Sequence, residues 1–76
     1  TQPHAYAERA LVRLVRANEV SRLQGDLDYL PFEDAQLRAL LLADAERAVM
    51  LFEQNEQTYS GWYTYSLSLI NRLQTY

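Results

Sequence analysis

An all-α chain is predicted, an antiparallel helical hairpin followed by a third, aromatic-rich helix. Three observations lead there. Apolar residues recur at helical spacing through residues 5–23 and 32–57. Gly25, Pro31 and Gly61 punctuate those segments where helices end or begin. The last twenty residues, Gln57 to Tyr76, carry one charge, Arg72, yet hold the only Trp and four of the six Tyr, so this stretch must be buried against its own core or a partner.

The first helix is expected over residues 5–23. Ala7, Leu11 and Leu14, continued by Asn18 and Ser21, form one face, and Arg9, Arg13 and Arg16 form the opposite one. Pro3 suits a helix start, where the first amides have no intrahelical partner, and Gly25 suits the C-cap. Asp26-Leu27-Asp28-Tyr29-Leu30-Pro31 reads as a connector, because proline disfavours helical geometry in the residue before it.

The second helix is expected over residues 32–57, about 39 Å at 1.5 Å per residue. Glu33 and Asp34 fall where the helix dipole favours negative charge. Its inward arc is Leu37, Leu41, Ala45, Ala48 and Phe52, with Glu46 and Glu53 pointing away. The segment 58–61 is the break, with Thr58 or Ser60 available as a cap.

The third helix is expected over residues 62–75. Trp62, Ser66, Leu69, Leu73 and Tyr76 make one row, and Tyr63, Leu67 and Ile70 the next. Alternation through Trp62–Leu69 also fits a β-strand, but a lone strand has no ladder partner elsewhere in the chain, so helix is preferred and an intermolecular ribbon is the competing form. Ala7-Glu8-Arg9-Ala10-Leu11 recurs as Ala45-Glu46-Arg47-Ala48-Val49. The match does not extend in either direction, and recurrence of common helix formers by chance accounts for it.

At 76 residues the chain is read as one domain, residues 1–76. A core of this size seldom supplies more than about 3–5 kcal/mol without a disulfide, a metal or oligomerisation. Cysteine is absent and His4 is the one histidine, which excludes disulfides and thiolate or imidazole-rich metal sites; no cofactor is expected. Association remains, and a homodimer that completes a larger bundle is the expected state. The uncharged run Gln57–Asn71 is too rich in Ser, Thr and Tyr for a membrane span, and no segment at the start reads as a signal peptide. The cytoplasm is the expected compartment.

All seven basic residues are Arg, unevenly placed. Residues 1–24 hold four Arg against two Glu, residues 25–58 hold two Arg against eight acids, and Arg72 follows alone. A net charge of −3 disfavours nucleic acid, whose binding draws on clustered positive charge.

Two polar features invite chemistry. Asp44 falls within the apolar arc of the second helix, where a desolvated carboxylate can act as acid or base. A site needs a second group, and none has a supported position beside it, so a Tyr hydroxyl or a neighbouring Arg is its expected partner and no enzyme is expected. The Arg9, Arg13, Arg16 stripe suits phosphate or an acidic partner, but three Arg on a net acidic chain favour the solvated back of an amphipathic helix. The expected function is a non-enzymatic adaptor, inhibitor or regulator that binds another protein, or itself, through Tyr59, Trp62, Tyr63, Tyr65, Leu69 and Tyr76. Tyr and Trp concentrate at such interfaces because they combine large rigid area with a polar tip. The competing function is a nucleic-acid-associated regulator that uses the Arg stripe.

Overall fold

A computed structural model describes residues 2–75. Of three helices, α1 (Gln2–Leu23) and α2 (Ala35–Gln54) are joined by a connector that holds a 3-10 turn at Pro31–Glu33, and a shorter connector, residues 55–60, leads to α3 (Gly61–Gln74). No strand occurs among the described residues, so the tail is helical. The position expected at Tyr76 lies outside them.

Contacts fix the directions of the helices. Arg13 meets Asp44 and Arg47 sits over Tyr6, so α1 and α2 run antiparallel. Tyr63 meets Glu53 while Arg72 stacks on Phe32, which makes α3 antiparallel to α2 and therefore parallel to α1, with His4 against Trp62 where both begin. The molecule is elongated, 43 × 24 × 17 Å, and its radius of gyration of 13.1 Å exceeds the roughly 11 Å of a compact chain this long. Long helix sides are therefore left at the surface.

Helix ends follow their side chains. Asp34 caps α2, its Oδ1 accepting from the Gln36 and Leu37 amides at 3.1 and 3.2 Å, so α2 begins at Ala35 and the segment before it is a separate turn. Ser60 caps α3 by accepting from the Trp62 amide at 3.2 Å. Both longer helices close with the same motif. At the end of α1 the Gly25 and Asp26 amides donate back to Arg22 O and Ser21 O, with Gly25 at φ +80°. At the end of α2 the Glu56 and Gln57 amides donate to Glu53 O and Phe52 O, with Glu56 at φ +56°. A glutamate there bears a steric cost that glycine avoids.

The repeated Ala-Glu-Arg-Ala segments turn out to face each other. Ala7 packs in one buried cluster with Ala48 and Phe52, and Ala10 in another with Leu41 and Ala45. All four alanines are fully buried, and with no side chain beyond Cβ they let the two backbones approach closely. An approximate two-fold relates the segments. It matches the contact of Arg9 with Asp44 to that of Arg47 with Tyr6, the first an ion pair and the second a guanidinium over a ring. Here the inward row of α1 corrects the expected one: Ala10 is buried and Ala17 half-buried, whereas Asn18 is exposed. In α3 the expected row holds, with Ser66, Leu69 and Leu73 buried.

Candidate interaction surface

Asp44 is the one charged residue among the buried positions, 6% exposed on the α1-facing side of α2. Burial of a carboxylate costs several kcal/mol unless it is paired. Arg13 Nε donates to its Oδ2 at 3.0 Å, and Arg9 Nε lies 3.5 Å from the same oxygen. The stripe read as the back of the first helix is thus turned toward α2, and two of its three members converge on one acid. Arg16, one turn further, is exposed and has no ion-pair partner within 4.0 Å among the described residues. Every buried side-chain nitrogen and oxygen among the described residues has a hydrogen-bond partner, so no polar group is left poised in the core.

The aromatic residues are brought together at the other end of the bundle. Trp62 is half-buried, 5.0 Å from the His4 ring and edge-on to Tyr65 at 5.8 Å between centroids. Tyr63 meets Phe52 edge-on at 6.1 Å, and its hydroxyl donates to Glu53 Oε2 at 2.9 Å. That bond to a carboxylate, and then desolvation, hold the Tyr63 phenol above its usual range; desolvation alone does so for Tyr65. Leu69 lies in the core with Leu73, Leu41 and Phe32. Tyr59 is separate, 84% exposed on the connector between α2 and α3.

Sequence periodicity missed a surface on α1. Val12, Val15, Val20 and Leu23 all face solvent, Leu23 at 82%, and the connector adds Leu27 at 84% and Leu30. Val12, Val20 and Leu23 share one side of the helix with Arg16 between them. Two shallow depressions that share Arg13 and Arg16 make a groove there, one continuing to Ala5, Glu8, Arg9 and Val12 and the other to Ala17, Val20, Ser21, Tyr29 and Leu37. The signal was available, because a helix whose alanines repeat at core spacing must carry its larger apolar residues elsewhere.

At the connector, Tyr29 donates to Asp34 Oδ2 at 3.0 Å. The Leu37 amide first, then this hydroxyl, hold the Asp34 carboxyl below the usual carboxylate range. Among the described residues no group of three or more His, Cys, Asp and Glu side chains is placed to hold a metal ion, and no helix is long and apolar enough to cross a membrane. Compared with known proteins, the chain matches no family model, no curated sequence and no solved structure, so its surfaces have to be read from their own geometry.

Proposed function

We propose that this protein is a small non-enzymatic interaction module, an adaptor, inhibitor or regulator, that binds a polypeptide through the outward side of α1 and the adjoining connector. The observation that carries the reading is the row of solvent-facing aliphatic side chains, Val12, Val20, Leu23, Leu27 and Leu30. Several large aliphatic side chains exposed on one helix side, with Arg16 among them, suit a binding face better than a solvated helix back. The aromatic helix supports this role from within: Trp62, Tyr63 and Leu69 already have intramolecular partners, and Tyr59 and the outer edge of Tyr65 remain as a secondary contact area. The nucleic-acid reading has less support, because Arg9 and Arg13 are drawn to Asp44 and the chain is net acidic.

A peptide-display selection against the folded protein, counter-selected on a Val12→Glu, Val20→Glu variant of unchanged helicity, tests the proposal. Peptides that bind the wild type and lose the variant are expected. Selections that yield none, or that yield binders indifferent to both substitutions, contradict it.

A further inference from the structure

We infer that the α1 groove receives the connector of a second copy of this chain, residues 26–30, so that two copies pair about a two-fold axis. The inference rests on the reading of α1 as a binding face and names its occupant. Arg16 lines the groove beside Val12, Ala17 and Val20; Arg9 and Arg13 there are turned to Asp44 and Glu8 also lines it, so Arg16 is the cation that faces an incoming acid. Asp26-Leu27-Asp28-Tyr29-Leu30 carries the complementary character: two exposed carboxylates alternate with Leu27 and Leu30, both largely in solvent.

Position strengthens the match. Tyr29 lines the far end of the groove and also the cleft formed by Asn18, Ser21, Arg22, Asp26 and Leu27. Groove and connector therefore adjoin on one side of the molecule. A two-fold axis near Ser21 sets each connector in the other copy's groove at the same time, the isologous arrangement that closes without leaving an open end. In that register Asp28 of each copy meets Arg16 of the other, and Leu27 covers Val20. Arg16 gains an acidic partner there, and the two most exposed leucine-class contacts of the connector leave water.

Sedimentation equilibrium of the full chain over a wide concentration range tests the pairing, on the wild type, Arg16→Glu, Asp28→Arg and the double variant, each checked for helicity. A reversible dimer is expected that weakens about tenfold in either single variant and recovers in the double, where the charges are exchanged across the interface. It should also weaken with added salt, since exposed charges are screened over about 8 Å at physiological ionic strength. A monomer at every concentration overturns the inference, as does a dimer indifferent to both single variants. If the monomeric protein still binds peptides selected on α1, the groove takes a foreign acidic-apolar segment and the interaction reading stands; if it binds none, both fall.

Discussion

Helices α1 and α3 use apolar residues in opposite ways. In α3 most large side chains are turned inward, with Leu69 and Leu73 buried and Trp62, Tyr63, Tyr65 and Ile70 half-buried, while Leu67 is exposed among Thr64, Ser68 and Asn71. In α1 Ala7 and Ala10 are buried, while Val12, Val15, Val20 and Leu23 are in solvent. A fully buried valine or leucine contributes roughly 1.5–3 kcal/mol, a gain that α1 forgoes at four positions. Alanine contact brings α1 and α2 close, and the partly buried Arg13–Asp44 pair joins them. The difference teaches that α3 closes the monomer, whereas α1 packs through Ala7, Ala10 and Leu14 and leaves Val12, Val15, Val20 and Leu23 in solvent.

Truncations should separate the two helices most strongly. Leu73→Ala in α3 should cost about 3 kcal/mol, most of the stability of a domain this size, read as a shifted midpoint in urea unfolding. Ala10→Leu should cost about 2 kcal/mol by forcing α1 away from Leu41 and Ala45, and a neutral result would mean the alanine seam is loose. Glu56→Gly should stabilise by about 1 kcal/mol in the same assay, because its left-handed backbone then carries no Cβ penalty. Val12→Ser and Val15→Ser, measured on dilute protein, should move the midpoint by less than about 0.5 kcal/mol. A loss as large as that of Leu73→Ala would erase the contrast between the helices.

The smallest effect belongs to acid. Because the folded Asp34 carboxyl titrates below its unfolded value of about 3.9, its contribution is complete above that pH and is lost as pH falls through the lower folded value. Asp34→Asn should lack that part of the acid dependence of unfolding. An unchanged profile would show that the cap does not titrate with folding.

Much of the fold was legible because large apolar residues dominate two of the three helices. The rows of α2 and α3, the connector through Pro31 and the Ser60 start of α3 follow from spacing and capping chemistry. The face of α1 was turned because alanine is weakly apolar by composition, so Leu11 outweighed Ala10 when the row was drawn. Arg13 looked like a solvated residue because nothing in its own helix reveals an acid on the next one, although Asp44 in an apolar arc called for such a partner. The early start expected for α2 came from reading Glu33 and Asp34 as helical acids, when the Asp34 carboxylate is the cap itself. The left-handed residue at Glu56 has no glycine to mark it. The aliphatic side of α1 became visible once the alanine seam was placed.

The most direct test of the claim that α1 and its connector pair with a second copy of the chain is a concentration series of amide ¹H–¹⁵N chemical shifts on the wild-type chain. Perturbations that grow with concentration and cluster over residues 12–30 are the predicted result. Perturbations confined to residues 59–67, or shifts that do not change with concentration, would contradict it.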